Sequence, residues 1–323
     1  MKNINVTSLD ALAENGINKI CLAIGVFDGM HKGHQLLLKR LKKMARQHNS
    51  TPVALTFYPH PRAVLSPENP PPLLVPPRKR IELLHFYGAE GVVTLSFSTA
   101  FANQSPLEFI RNCLHSSRVA IKGICVGKSW RFGAGGAGDV DLLHDFADRG
   151  HFDFEAVLEL SLEDAPVSST AIRRAVAAGL LERAAAMLGR PYSLCGTVGA
   201  GHHVAGAELE HPTANLQPRY GVMPPAGVYA ANALINGKRF SAAVNIGISP
   251  TYNWAGDHMP RLEAHLIDFS RNIYGEQLEV ELLDYLREER CFSSPAELKK
   301  QIEKDICQVT QITKQVGGQY GKA

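Results

Sequence analysis

Short apolar runs and amphipathic stretches take turns along the first half of the chain. KICLAIGVF (19–27) is a near-continuous apolar run, the pattern of a strand buried on both faces. HQLLLKRLKKMARQH (34–48) follows with its apolar residues at helical spacing. PVALTFY (52–58), GVVTLSF (91–97) and AIKGICVG (120–127) predict further strands, and RIELLHFYG (80–88) and PLEFIRNCLH (106–115) predict helices between them. The proline-rich stretch SPENPPPLLVPPRK (66–79) must be an irregular loop, because proline removes donors and cannot enter a central strand. Apolar strands interleaved with helices imply a mostly parallel α/β sheet, which binds ligands at the carboxyl ends of its strands.

Beyond about residue 186 the pattern changes. YSLCGTV (192–198), GVYAANALI (227–235), RFSAAVNIG (239–247), LEAHLIDF (262–269) and QLEVELLDYL (277–286) read as strands without helices between them. Asn236–Gly237 separates two of them, a strong hairpin signal, and the set predicts an antiparallel barrel or sandwich. In SPAELKKQIEKDICQVTQI, Leu298, Ile302, Ile306 and Val309 fall on one helical stripe, with Ser294 placed to cap it. The chain therefore divides into an α/β domain (1–186), ending in a helical link over about 168–190, and a β domain (187–323) closed by a helix.

Composition narrows the class. The 45% hydrophobic and 20% charged fractions are those of a soluble globular protein. A net charge of +3 is too small to make nucleic acid the main partner. Cys21, Cys113, Cys125, Cys195, Cys291 and Cys307 lack any CxxC spacing and read as buried thiols of a reducing compartment. No signal-peptide core opens the sequence, and no apolar run approaches the roughly 20 residues of a membrane helix. The expectation is a cytoplasmic protein with no membrane partner; a homo-oligomer is compatible with it.

The candidate chemistry begins at FDGMHKGHQ (27–35), where His31 and His34 flank Gly33. A metal pair would need further ligands, and His60 in a prolyl loop is a weak source. A phosphate cradle fits better. Gly25, Gly29 and Gly33 allow close backbone approach, the new helix offers free N–H groups, and two imidazoles can donate to phosphate oxygens.

GVFDGMHKGH (25–34), TFYPHPR (56–62), VGKSWRFGAGGAGD (126–139) and VSSTAIR (167–173) occur in that order. Together they resemble the nucleotidylyltransferase module, Rossmann-like and of HxGH type, of bacterial bifunctional riboflavin kinase/FAD synthetases. HPTANL (211–216), PAGVYAA (225–231), VNIGISPTY (244–252), LEAHLIDF (262–269) and ELKKQIEKD (297–305) likewise resemble the riboflavin kinase module of the same family. The resemblance implies ATP-dependent phosphorylation of riboflavin to FMN, then adenylylation of FMN to FAD, helped by Mg²⁺. By resemblance, His31 and His34 contact the ATP phosphates, while Gly25, Phe27, Asp28 and Gly29 line the nucleotide and flavin-phosphate cleft. Ser169, Thr170 and Arg173 grip phosphate from a helix start. Thr213 and Asn215 join a Mg²⁺ shell, their i,i+2 spacing placing both on one side of an extended segment. Glu263 is the general base, and the apolar neighbours Ile267 and Phe269 on its strand face would raise its pKa toward that task.

Three places depart from the family. Lys128, Ser129 and Trp130 stand where relatives usually carry an acidic residue, Asp or Asn, and an aromatic; Trp130 reads equally as a packed ring and as a ligand contact. In GAELEHPTAN, Ala207 replaces an expected Arg, Glu210 a Gly and His211 a Phe, changes that oppose binding of a polyanion. Ser249 replaces another Arg, and His202 or His203 could compensate in part. These departures leave two alternatives beside the bifunctional enzyme: an FMN adenylyltransferase with an impaired kinase module, and a non-catalytic flavin or nucleotide sensor.

Overall fold

The computed structural model describes residues 3–115, 118–163, 165–199, 213–247 and 261–320, with the backbone alone for 317–320. The chain forms two compact units, Met1–Pro72 with Pro77–Ser168, and Leu73–Pro76 with Ser169–Ala323.

The first unit opens with β1 (Ile4–Val6), α1 (Asp10–Glu14), β2 (Lys19–Ile24), α2 (Lys32–Gln47) and β3 (Thr51–Tyr58). It continues through α3 (Pro61–Leu65), α4 (Pro77–Phe86), β4 (Gly91–Ser96), α5 (Thr99–Ala102), α6 (Pro106–Cys113) and β5 (Ala120–Gly127). It ends with α7 (Val140–Gly150), β6 (Asp153–Val157) and the short pair β7 (Ser161–Leu162) and β8 (Ala165–Pro166). Six strands form one sheet in the order β1-β4-β3-β2-β5-β6, and every pairing is parallel. Ile20–Ile24 of β2 are all buried, as a strand covered on both faces requires. α2 turns Leu37, Leu38, Leu41, Met44 and Ala45 inward. After β2 the chain builds outward through β3 and β4, then returns to the other side of β2 as β5. That reversal makes the carboxyl ends of β2 and β5 the topological switch point, where open α/β sheets hold ligands.

The second unit holds α8 (Ser169–Ala177), α9 (Leu181–Leu188), β9 (Tyr192–Gly199), β10 (Ala214–Leu216) and β11 (Gly227–Ile235). β12 (Lys238–Gly247), β13 (Arg261–Leu266), β14 (Gln277–Arg287) and α10 (Pro295–Tyr320) complete it. The strands close into an antiparallel barrel in the order β10-β13-β12-β11-β14-β9. Asn236 and Gly237 both have positive φ, 49° and 74°, the twist a two-residue hairpin between β11 and β12 needs. α10 lies over β11, β12 and β14, and the Ser294 Oγ accepts from the Glu297 N–H at 3.3 Å near its start. On its inner stripe Val309 is fully buried, while Leu298, Ile302 and Ile306 are half-buried. Asp305 is buried on this helix too, clasped by Arg287 of β14 with Nη2 and Oδ2 2.7 Å apart.

Three sequence expectations change. The β1 and β6 strands were not predicted: β1 is three residues at the sheet edge, and DFEAV in β6 is mostly half-buried, so neither shows a clear period. LEAHLIDF stops being a strand at Leu266, which leaves Ile267 and Phe269 beyond its end. Only Cys21, Cys113 and Cys125 are buried; Cys195 is half-buried, and Cys291, in the turn before α10, and Cys307, on its outer side, are exposed.

Candidate active sites

The chain leaves β2 through an unusual backbone. Phe27 (φ 56°), Gly29 (φ 78°) and Met30 (φ 47°) are all left-handed, folding a tight turn over Asp28–Met30. Phe27, Asp28, Met30 and His31 are buried there, and the Phe27 ring packs against Gly25, where a Cβ would stand 3.2 Å from its Cζ. His31 then caps α2: its Nδ1 accepts from the His34 N–H at 3.4 Å. With Nδ1 an acceptor, a neutral His31 carries its proton on Nε2. The His31 and His34 rings stack with centroids 3.6 Å apart, and Phe27 meets His34 edge-on. Burial, with His31 alongside, pushes the His34 pKa well below the ordinary imidazole value and keeps the ring neutral. Its Nδ1 is enclosed without a hydrogen-bond partner among the described residues.

Arg80, inside the basic run of α4, went unrecognised in the sequence. It is 3% exposed, and it donates from Nη1 to the Val26 carbonyl at 3.1 Å and from Nη2 to the Phe57 carbonyl at 3.0 Å. Thr56 Oγ1 donates to the same Val26 carbonyl at 3.1 Å. One guanidinium thus joins the carboxyl ends of β2 and β3 directly behind the turn that carries the histidines. Burial lowers its pKa, and Asp28 and Tyr58 favour the charged form. The neighbouring Arg78 is exposed and pairs with Glu82, so charge alone would not have separated them. His60 is likewise structural, its Nδ1 accepting from the Arg62 N–H at the start of α3.

Beyond β5, at the other side of the switch point, Lys128 and Ser129 are exposed. Trp130 stacks on Phe132 at 4.7 Å and leans on Phe109, so packing accounts for much of its surface. Arg131 pairs with Asp139, the N-cap of α7, at 3.1 Å. Ser169 and Thr170 are the first residues of α8 and Arg173 lies one turn on; this helix packs against α9 in the second unit.

In the barrel, strand register assembles the second set. Asn215 of β10 pairs with Glu263 of β13, and Glu263 pairs with Asn245 of β12. Directly paired antiparallel residues share a face, so the three side chains form one row on the outside of the barrel. Glu263 is therefore flanked by two amides and not by the apolar neighbours expected from its own strand. A cleft of about 380 Å³ takes in Glu263 and Asn245 of this row together with Thr213, His265, Phe292 and Ile302 among others, whereas Asn215 borders neither this cleft nor the next. A second cleft of about 250 Å³, bordered by Phe269 and Tyr274, reaches Thr213 from the other side. Thr213 lines both. Sequence reasoning missed Asn245 and Glu289, whose Oε1 accepts from the Asn245 Nδ2 at 2.9 Å. Ala207, Glu210, His211, His202, His203 and Ser249 lie outside the described residues.

The comparisons with known proteins agree with this division. The FAD synthetase family model matches residues 14–171, and the riboflavin kinase family model matches 188–313. A Bacillus subtilis protein described as a bifunctional riboflavin kinase/FMN adenylyltransferase is 34% identical over 308 residues, covering 94% of this chain and 96% of its own. A Haemophilus influenzae protein of the same description is 36% identical, covering 88% and 91%. A crystal structure from Streptococcus pneumoniae, described as a macrolide-efflux protein, matches with a TM-score of 0.76 and 28% identity, covering 95% of this chain and 97% of that one. No helix among the described residues of this chain is long and apolar enough to cross a membrane. A parallel-sheet unit and a closed barrel, one family model on each, and relatives matched nearly end to end give one answer: the chain belongs to the family of bifunctional riboflavin kinase/FMN adenylyltransferases.

Proposed function

We propose that the two reactions of this enzyme run on the two residue sets just described. The chain phosphorylates riboflavin with ATP to FMN and adenylylates FMN with ATP to FAD, releasing pyrophosphate. Neither an adenylyltransferase with an idle kinase module nor a flavin sensor is favoured, since each half matches its own enzyme family. The functional division is put at 186/187, between the ends of the two family matches.

In adenylylation, an FMN phosphate oxygen attacks the α-phosphorus of ATP in line and the bond to pyrophosphate breaks. His31 donates from Nε2 and His34 lies stacked against it, so both can bear on the phosphate oxygens where charge gathers. Gly29 gives the turn its left-handed backbone, and the buried Phe27 and Asp28, with Gly25, shape that turn from behind; the roles of Ser169, Thr170 and Arg173 toward phosphate rest on the family resemblance alone.

In phosphorylation, the observation that carries the reading is the cleft lined by Glu263, Asn245 and Thr213, which meets a second cleft at Thr213, with Asn215 in register beside Glu263. Riboflavin occupies the larger cleft and ATP the smaller. Glu263 takes the proton of the terminal ribityl hydroxyl, whose oxygen attacks the γ-phosphorus while ADP leaves. The Thr213 hydroxyl and Asn215 amide oxygen are hard donors of the kind Mg²⁺ accepts alongside substrate phosphates, and they would hold it there. Bound Mg²⁺ would supply charge neutralisation at the phosphates. The same reading places the enzyme in the cytoplasm, where ATP is available and its six cysteines remain free.

Glu263→Gln and His31→Ala, each assayed on riboflavin and on FMN, test the assignment. The first should lose only FMN formation and the second chiefly FAD formation. Loss of both activities in either folded variant would contradict two separate sites.

A further inference from the structure

Asn245 has one end of its amide fixed and the other without a partner among the described residues. Its Nδ2 donates to Glu289 Oε1 at 2.9 Å. A carboxylate accepts hydrogen bonds and has none to give, so the NH2 end must face Glu289. The carbonyl end then points away from Glu289, and this Oδ1 is buried without a partner among the described residues. A buried acceptor left unpaired costs free energy, so an atom like this calls for a partner from outside the fold, a water, an ion or a ligand group. Asn245 lines the 380 Å³ cleft together with Glu263, its partner across the strand pair.

The Glu289 carboxylate reaches Asn245 by lying against the backbone of β12. A Cβ on Gly247 would overlap its oxygens, so glycine at this position is what gives the carboxylate its place. The segment that brings Glu289 there is itself held: Arg287 is clasped to the buried Asp305, and the Phe292 ring lies beneath the Arg287 and Arg290 guanidiniums at 5.8 and 4.8 Å. The amide orientation therefore follows from three neighbouring features and not from Asn245 alone.

We infer that Asn245 is a substrate-binding residue of the kinase step, its Oδ1 accepting a hydrogen bond from a secondary hydroxyl of the ribityl chain. Glu289 is a positioning residue that keeps the acceptor end turned toward the substrate. This deepens the reading above, since it rests on the ribityl chain lying along the row that contains Glu263. The chemistry selects the chain and not the ring: a polyol brings several O–H donors past this row, and the orphaned group is an acceptor. Held there, the terminal hydroxyl is presented to Glu263 with one fewer free rotation.

The test uses the full-length protein and two flavins, riboflavin and lumiflavin, which has a methyl group in place of the ribityl chain. Asn245→Ala should raise the riboflavin KM of phosphorylation about tenfold while leaving the KM for ATP unchanged. It should narrow the riboflavin-over-lumiflavin affinity ratio, read by flavin fluorescence quenching, by a similar factor. Glu289→Gln keeps the size of the side chain but can present either end of its amide to Asn245, and it should show the same pattern at a few-fold. An unchanged kcat for riboflavin phosphorylation at saturating riboflavin, with a wild-type thermal unfolding profile, reports that the barrel carrying the substitution is folded. An unchanged riboflavin KM in Asn245→Ala, or equal weakening of both flavins, would overturn the inference. If Glu263→Gln still phosphorylates riboflavin but Asn245→Ala shows the selective loss, the base assignment fails and this contact stands.

Discussion

Gly33 lies beneath the imidazole of His31: a Cβ on Gly33 would stand 3.1 Å from both Cε1 and Nδ1 of that ring. The histidine spacing is thus a packing requirement as well as a chemical one, because the residue between the two rings must leave room for the first to fold back onto the helix start. Gly33→Ala adds one methyl group and forces His31 to shift by a few tenths of an ångström. FAD formation should fall roughly tenfold or more, as expected when a transition-state donor is slightly misplaced. FMN formation from riboflavin should stay at the wild-type rate, and steady-state assays on the two substrates check both outcomes.

Thr213 borders both clefts of the barrel, and with riboflavin in one and ATP in the other, as proposed, its hydroxyl would lie where the two substrates meet. Thr213→Val keeps the branched shape and removes only the hydroxyl. Loss of an oxygen ligand and phosphate partner at this point should lower FMN formation by about a hundredfold. FAD formation from supplied FMN should be unaffected, and raising Mg²⁺ should recover part of the lost rate. A variant that phosphorylates riboflavin at the wild-type rate would remove Thr213 from the site.

Much of this arrangement is legible in the amino-acid sequence alone. β2, β3, β4 and β5 carry the apolar runs that strands covered on both faces must have, and Asn236–Gly237 announces its hairpin. The histidine turn could be placed because it directly follows such a run. What was not legible depends on register and distant packing. The flanking of Glu263 by Asn215 and Asn245 arises from pairing across three strands, and Glu289 arrives from the turn beyond β14. No local period encodes either. Arg80 was hidden for another reason: PPRKR reads as a solvated basic run, and only the helix phase of α4 decides which of its three cations turns inward.

Arg80 joins the ends of β2 and β3 through two backbone carbonyls. Arg80→Met fills similar volume without the donors. The Val26 carbonyl keeps its bond from Thr56, but the Phe57 carbonyl loses the guanidinium. Urea unfolding of the variant should show a loss of about 1–3 kcal/mol, the usual cost of leaving a buried partner unsatisfied. Because the joined strands support the histidine turn, FAD formation should drop by more than FMN formation does. Equal effects on the two activities would show that Arg80 acts on stability alone.

The neutral state of His34 gives the enzyme a pH dependence whose sign can be derived. Burial and the neighbouring His31 hold its folded pKa well below the ordinary value of 6.5. As the pH falls below that ordinary value, the unfolded chain takes up a proton at this position while the folded chain does not. The stability that His34 contributes is therefore present above pH 6.5 and drains away toward its depressed folded pKa. Thermal unfolding between pH 8 and 5 should show the wild-type melting temperature falling on the acid side. His34→Asn, which has no titrating group, should show a shallower fall over the same range, although its FAD formation is lost. Parallel slopes for the two proteins would mean that His34 is protonated in the folded enzyme, and the stacked pair would then have to be read as a cation against a neutral ring.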